Sequence, residues 1–172
     1  MFGKTGIRPP AVFATALLAL ALITACGSSE SGSDQFRDQT DSATLDFGEE
    51  ASEAEREEGA DAVQAYLTAR AAGDWPAACS QLSRSVLTKV ERLAISSTSL
   101  EDKSCPSFLG AFTQLTAKER KDIREMDAGS LRQRGKQGYL IYYGSGEIVY
   151  AMPLDREGDV WKVASLSPEL LS

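Results

Sequence analysis

The chain has 172 residues, no histidine and a net charge of −7. Because histidine is missing, the sequence excludes Ser-His and Cys-His catalytic pairs, HExxH metal sites and imidazole general bases. Three cysteines without histidine disfavour a structural zinc site, and we predict no metal or other cofactor. The acidic balance argues against nucleic acid as a partner, because that partner needs a net basic face.

The negative charge is concentrated in one segment. Residues 30–61 contain 12 acidic and 2 basic residues, whereas residues 62–172 contain 13 acidic and 14 basic residues. The acidity therefore belongs to an N-terminal spacer, and the part of the chain that can fold is nearly neutral.

The first 25 residues have the pattern of an export signal. Two basic residues precede an uncharged run, residues 11–25, which is short for a membrane-spanning helix. The run ends in the sequence ITAC, residues 23–26, which resembles the lipobox of bacterial lipoproteins. The resemblance implies cleavage between Ala25 and Cys26 and lipidation of the Cys26 sulfur. An ordinary secretory signal or an uncleaved membrane anchor are the alternatives.

A lipidated Cys26 implies a protein anchored to the cell membrane and facing outside the cytoplasm. Two or three acyl chains on one residue anchor a protein firmly. Residues 26–50 are rich in Ser, Gly and Asp, which predicts a disordered acidic linker. Residues 51–172 are predicted to form a single domain.

Helical signals fill the first half of this domain. A capping box at Ser52 and a glycine cap at Gly73 predict one long helix, followed by a short second one. Apolar spacing predicts a third helix around residues 86–93 and a fourth after Pro106. Another capping box starts at Thr116. The buried face of the fourth helix is predicted to hold Phe108, Leu109, Phe112 and Leu115.

The pattern changes to strands after about residue 121. Runs rich in Tyr, Ile, Val and Trp are separated by turn signals at residues 144–146 and 155–158. A further strand is predicted over residues 123–131. Helices followed by an antiparallel meander predict an α+β fold, with the helices packed on a curved sheet of three to four strands.

Two cysteines remain once Cys26 is assigned to the lipid. Export places Cys79 and Cys105 in an oxidising compartment, so a disulfide between them is predicted. Closing a loop of about 27 residues would stabilise the fold by roughly 3–4 kcal/mol. A reactive thiol or redox pair is the alternative, although the chain has no CxxC motif.

Two segments resemble a known superfamily. AVQAYLTARAAGDWPAACSQLS, residues 62–83, resembles the opening helix pair of small exported proteins of the nuclear transport factor 2-like superfamily. DREGDVWKVASL, residues 155–166, resembles their last hairpin, with Trp161 and Val163 on one face. The resemblance covers roughly residues 55–168 and implies a cone-like domain that is shallow or partly open.

That superfamily contains both enzymes and non-enzymes. We predict a non-catalytic binding or interaction module of the cell envelope, whose partners are the membrane, through Cys26, and a small apolar ligand or an envelope protein. An enzyme of the isomerase or cyclase type using carboxylate and Tyr is one alternative, and an assembly or stabilising subunit is another. A buried acid beside Tyr hydroxyls would favour catalysis. No catalytic residue or oligomeric state is predicted. The residues predicted to line a pocket are Tyr66, Trp75, Tyr142, Tyr150 and Trp161.

Overall fold

The computed structural model describes residues 41–124 and 126–171. The predicted export signal, its cleavage site between Ala25 and Cys26, and most of the predicted linker lie outside these residues. The described chain begins with a helical turn, residues 41–45. The helices are α1 (Glu53–Ala72), α2 (Trp75–Gln81), α3 (Arg84–Ser96), α4 (Cys105–Phe112) and α5 (Ala117–Arg124). The strands are β1 (Glu49–Glu50), β2 (Asp127–Arg134), β3 (Gln137–Tyr143), β4 (Val149–Glu157), β5 (Val160–Val163) and β6 (Glu169–Leu171).

The α+β class is confirmed, and the sheet is larger than predicted. Its strands follow the order β1-β2-β3-β4-β5, with every pairing antiparallel, and β6 pairs with β4. The sheet is curved and does not close. The sheet has six strands instead of the expected three to four, because the prediction did not include β1 and β6. These two strands are only two and three residues long. Strands of that length carry no alternating pattern that a sequence could reveal.

The strand predicted over residues 123–131 is displaced. Ile123 belongs to helix α5, and β2 starts four residues later, at Asp127. The capping box that starts at Thr116 is formed, since Thr116 Oγ1 accepts from the Glu119 N–H at 3.2 Å. Ile123 is buried on the inner face of that helix, so its apolar side chain marks the end of α5 rather than a strand.

The structure also differs from the predicted linker boundary. Residues 41–50 lie within the range 26–50 assigned to a disordered linker, yet they pack on the sheet. The ring of Phe47 meets that of Tyr139 edge-on, with 5.0 Å between centroids. Arg132 donates to the backbone carbonyls of Phe47 at 3.2 Å and Gly48 at 3.1 Å. These contacts lie far apart in sequence, so the local composition of the segment did not indicate them.

The helices cover one face of the sheet and share one core with it. Helix α1 ends at Gly73, whose φ of 75° is left-handed as predicted. A Cβ on Gly59 would lie 3.3 Å from methyl groups of Leu131 and Leu154, so glycine allows α1 to approach the sheet closely. The largest fully buried side chains are Tyr66, Leu82, Leu109, Leu131, Leu140, Met152 and Leu154.

The predicted disulfide is confirmed. Cys79 in α2 and Cys105 at the start of α4 are bonded, with their Cα atoms 6.2 Å apart. The bridge joins two helices that pack against each other. The buried face predicted for α4 is partly wrong, because Phe112 at its end is 54% exposed. Phe112 packs its ring on Phe108, with 4.9 Å between centroids.

Candidate functional site

A cleft opens where helices α1 and α5 meet strands β3 and β4. The segment that follows β5 forms its remaining wall. Its volume is about 180 Å³, which is below the roughly 300–1,000 Å³ of sites for drug-sized ligands. The cleft can therefore hold only a very small molecule. Its lining residues are Leu67, Arg70, Leu115, Glu119, Asp122, Ile123, Tyr142, Tyr150, Ser167 and Pro168.

Arg70 supplies a buried positive charge to the cleft. It lies on the inner face of α1 and is only 6% exposed. Its guanidinium donates to the carbonyl of Leu166 at 2.7 Å and to that of Thr113 at 3.3 Å. Its Nε has no hydrogen-bond partner, and no described carboxylate forms a salt bridge with it. A buried charge without an ion pair is costly, so Arg70 is an unusual residue for a structural core.

Asp122 supplies a buried negative charge to the same cleft. It lies on α5, is 5% exposed, and accepts hydrogen bonds on Oδ2 from Lys118 and Tyr150, both at 2.9 Å. Burial raises the pKa of Asp122, but these two hydrogen bonds outweigh burial and hold the pKa below its ordinary value. The backbone N–H of Ser145 also lies close enough to the carboxylate to lower the same pKa, although Oδ1 has no partner at full hydrogen-bond geometry.

Two tyrosines form the floor of the cleft. The rings of Tyr142 and Tyr150 stack with 5.4 Å between centroids and 24° between planes. Burial raises the pKa of both hydroxyls, and the Asp122 carboxylate raises them further. The Tyr150 hydroxyl is engaged with Asp122, and Arg70 lowers the pKa of Tyr142. Both charged groups of the cleft therefore affect the pKa of Tyr142.

Two further charged side chains stand at the cleft mouth. Lys118 pairs with Asp122, and its side chain is 63% exposed. Glu119 accepts a hydrogen bond of 2.6 Å from the Thr116 backbone N–H. That bond holds the pKa of Glu119 below its ordinary value, and the Arg70 guanidinium lowers the pKa further. The positive charges of Lys118 and Arg70 equal the negative charges of Glu119 and Asp122, so the formal charges of these four residues sum to zero.

The five predicted pocket residues do not all meet. Tyr142 and Tyr150 line the cleft. Tyr66 is fully buried behind it and donates to the Leu166 carbonyl at 3.0 Å. Trp75 lies against α4, where its indole would sit 3.0 Å from a Cβ on Gly110.

Trp161 lies in the core and does not line the cleft. It is 3% exposed, and its ring lies below Gly138 of β3. The guanidinium of Arg156 stands 5.2 Å from the ring centroid. Trp161 and Val163 share the buried face of β5, as predicted.

The two charged residues of the cleft were missed by the sequence reasoning. Arg70 follows Val63 by seven residues and therefore lies on the same helix face as Val63, Tyr66 and Leu67. That spacing was the available signal. Asp122 follows Lys118 by four residues, which on a helix is typical of an exposed ion pair. Only its packing beneath Tyr150 makes it a cleft residue.

A larger groove of about 660 Å³ lies at the other end of the sheet, beside the β2–β3 turn. Three of its polar side chains, those of Glu55, Gln133 and Arg156, are already paired with one another. Glu55 accepts from Gln133 at 3.1 Å and from Arg156 at 3.3 Å. Because these groups satisfy one another, the groove presents fewer unused binding groups than the smaller cleft.

No family model, curated protein or solved structure matches the chain. The resemblances to bacterial lipoproteins and to the nuclear transport factor 2-like superfamily therefore stay predictions. Within residues 41–124 and 126–171, no helix is long and apolar enough to cross a membrane. The same residues contain no cluster of acidic or cysteine side chains that could hold a metal ion.

Proposed function

We propose that this protein is a lipoprotein, anchored to the membrane through Cys26, whose domain binds a small molecule outside the cytoplasm without transforming it. The export-signal pattern and the ITAC sequence support the anchor. The disulfide between Cys79 and Cys105 is consistent with an oxidising compartment. The cleft supports the binding role.

The binding role depends on one observation: two buried side chains of opposite charge line the same cleft. Arg70 and Asp122 are 6% and 5% exposed, and each has one side-chain atom without a hydrogen-bond partner. Well-packed apolar residues would stabilise a core at least as well as buried charges do. Buried, incompletely satisfied polar groups in a cleft are typical of ligand sites.

Catalysis is the second candidate, because Asp122 lies beside two tyrosines. The stacked pair Tyr142 and Tyr150 places phenol groups near a carboxylate, which is the arrangement that would favour proton transfer. However, an efficient general base has a pKa near the working pH. The pKa of Asp122 is lowered, and its Oδ2 already accepts two hydrogen bonds. An acceptor that stays ionised suits binding better than proton transfer.

The anchor is tested by fractionating cells that express the full chain. We expect Cys26→Ala to move the protein from the membrane to the soluble exported fraction, whereas Ser28→Ala leaves it on the membrane. Mass spectrometry of the wild type should find a diacylglyceryl group on Cys26. Unchanged membrane partition of Cys26→Ala would contradict the lipid anchor.

The binding role is tested on protein purified from its own envelope. Native mass spectrometry should find a small molecule that leaves on denaturation with unchanged mass and structure. Leu115→Phe fills the cleft wall and should abolish this adduct, whereas Leu87→Phe, a half-buried residue on α3, should retain it. An adduct equally retained in both variants would place binding elsewhere, and a chemically converted ligand would favour catalysis.

A further inference from the structure

We propose that the rim of the cleft docks on the surface of an anionic phospholipid membrane. This interaction goes beyond small-molecule binding, and it rests on the proposed lipid anchor at Cys26, which brings the domain to the membrane. It follows from three features of the described residues: basic side chains on α5, exposed apolar side chains beside that helix, and acidic side chains at the opposite end of α1.

Helix α5 gives the rim its positive charge. Its sequence, AKERKDIR, contains four basic and two acidic residues. Asp122 is buried, whereas all four basic side chains are exposed. Lys118 compensates the charge of Asp122 at 2.9 Å, so three basic side chains and Glu119 remain, with a net charge of 3 − 1 = +2. Clusters of about four basic residues on a helix are typical of contacts with anionic lipid.

Phe112 adds an exposed aromatic side chain next to this helix. It is 54% exposed and lies five residues before the start of α5. The segment between them is held against the helix, since Arg120 donates to the carbonyl of Leu115. An apolar ring beside basic side chains suits a membrane interface, where the ring enters the acyl boundary and the cations meet the phosphates.

Leu170 adds an exposed aliphatic side chain from the segment that follows β5. It is 47% exposed and lies directly opposite Tyr150 in the pairing of β4 with β6. Directly opposed residues place their side chains on the same face of a sheet, and the Tyr150 hydroxyl reaches Asp122 of α5. Leu170 therefore lies near the same helix as Phe112. Exposed apolar groups with a polar surround mark surfaces that bind proteins or membranes.

The acidic side chains of the domain are concentrated elsewhere on α1. Residues 53–61 contain five acidic residues and one basic residue, whereas the part of α1 that lines the cleft begins at Leu67. Glu57 and Leu67 are ten residues apart, which corresponds to about 15 Å along the helix axis. An anionic surface attracts the α5 end of the domain and repels the acidic end of α1, so it turns the mouth of the cleft toward itself.

The anchor favours a membrane over an acidic protein as the partner. Cys26 lies 15 residues before Asp41, the first described residue, and a chain of that length reaches at most about 50 Å. A lipid on Cys26 therefore keeps the domain near the membrane at a high effective concentration. Under that condition, a surface with few charges and two apolar side chains binds despite a low intrinsic affinity.

The inference is tested by sedimenting the soluble form of the mature chain, Cys26→Ala, with lipid vesicles. We expect vesicles of phosphatidylcholine and phosphatidylglycerol to bind it at least about tenfold more tightly than vesicles of phosphatidylcholine alone, because only the former are negatively charged. An ionic strength of about 0.5 M should weaken this binding severalfold, since salt screens exposed charges. Equal binding to both kinds of vesicle would contradict the inference.

Charge variants locate the surface. The pair Arg120→Gln and Arg124→Gln removes two positive charges from α5 and should weaken binding to the anionic vesicles about tenfold or more. The control pair Arg84→Gln and Lys136→Gln removes the same charge from exposed positions at the other end of the sheet, and should change binding less than about twofold. Equal losses for the two pairs would show that net charge controls binding and would overturn this surface.

Apolar variants test the same surface independently. Phe112→Ser should weaken binding to the anionic vesicles about tenfold, because the ring no longer enters the interface. Val160→Ser is the control, since Val160 is 53% exposed on β5. Leu170→Ser gives the same readout without altering a helix, should Phe112→Ser fail to fold. If neither rim variant binds more weakly than Val160→Ser, the apolar contribution is wrong.

The outcomes separate this inference from the proposed function. A wash at high salt removes docking by charge before the Cys26→Ala fractionation is read. If no vesicle binds while Cys26→Ala still leaves the membrane, the docking surface is wrong and the anchor stands. If anionic vesicles bind but Cys26 has no lipid, the anchor is wrong and the surface stands. If poly-glutamate binds through Arg120 and Arg124 while vesicles do not, the partner is an acidic protein and the membrane assignment is wrong.

Discussion

The Tyr150 hydroxyl donates a hydrogen bond of 2.9 Å to Oδ2 of Asp122 and so joins strand β4 to helix α5. Lys118 donates to the same oxygen, also at 2.9 Å. Burial raises the pKa of Asp122, and these two hydrogen bonds outweigh burial and lower it. The folded protein therefore favours an ionised carboxylate beneath a tyrosine that is itself half-buried.

This relationship predicts how stability depends on acid. Because the folded-state pKa of Asp122 lies below the ordinary value of 3.8, the ionised group stabilises the fold above that pH. The contribution is lost as pH falls through the folded-state pKa. We expect Asp122→Asn to lower the urea midpoint at neutral pH and to have a smaller effect near pH 3. Asp159→Asn is the control, and an effect of Asp122→Asn that is the same at both pH values would contradict the prediction.

Alkaline pH tests the burial of Tyr66. Desolvation raises the pKa of Tyr66 to about 12, from an ordinary value of 10.0. A raised pKa means that stability is fully present below about pH 10 and declines as pH rises toward about 12. Two pKa units correspond to roughly 2–3 kcal/mol of unfolding free energy.

We therefore expect Tyr66→Phe to make the unfolding free energy less dependent on pH between about 9 and 12. At neutral pH the variant should lose about 1 kcal/mol, because the hydrogen bond to the Leu166 carbonyl disappears. Urea titrations at several pH values measure both effects. Tyr143→Phe is the control, since Tyr143 is 44% exposed. If the unfolding free energies of Tyr66→Phe and the wild type depend equally on pH in this range, the pKa of Tyr66 is not raised in the folded protein.

The disulfide gives a third prediction. Cys79 and Cys105 are 26 residues apart in sequence and bonded across α2 and α4. Replacing both by alanine should lower the unfolding free energy by about 3–4 kcal/mol, because the unfolded chain regains the entropy of an open loop. Chemical denaturation of the oxidised wild type and of the double variant measures the difference. Non-reducing mass mapping should find the bridge in exported protein, and free thiols there would contradict it.

The contact between α1 and the sheet gives a fourth prediction. A Cβ atom added at Gly59 would already lie 3.3 Å from methyl groups of Leu131 and Leu154. Gly59→Val adds a branched side chain at this contact and should destabilise the domain by about 1–3 kcal/mol. Ala54→Val, at an exposed position of the same helix, should cost less than about 1 kcal/mol. Because helix propensity favours Val over Gly but Ala over Val, a loss for Gly59→Val no larger than that for Ala54→Val would contradict crowding at this contact.

Local signals predicted several elements correctly because their causes are local. The capping box at Ser52 and the left-handed cap at Gly73 follow from residue type and spacing. The disulfide follows from the two cysteines that remain once Cys26 is assigned to the lipid. The apolar spacing of α3 also predicted its helix, with Val86 and Val90 buried. By contrast, Phe112 and residues 41–50 were misjudged, since their exposure depends on which remote residues cover them.

By itself, the sequence determined the class of fold and the succession of the helices and of the strands β3 to β5, because spacing along the chain fixes helix faces, strand faces and caps. The cysteine count and the export signal determined the pairing of Cys79 with Cys105. The tertiary structure alone decided that Arg70 and Asp122 face one cleft. Helix α1 and helix α5 lie some fifty residues apart in sequence, and no local pattern encodes the approach of two such elements. Burial then turned an ordinary basic residue and an ordinary acidic residue into a pair of charges with unused hydrogen-bonding atoms.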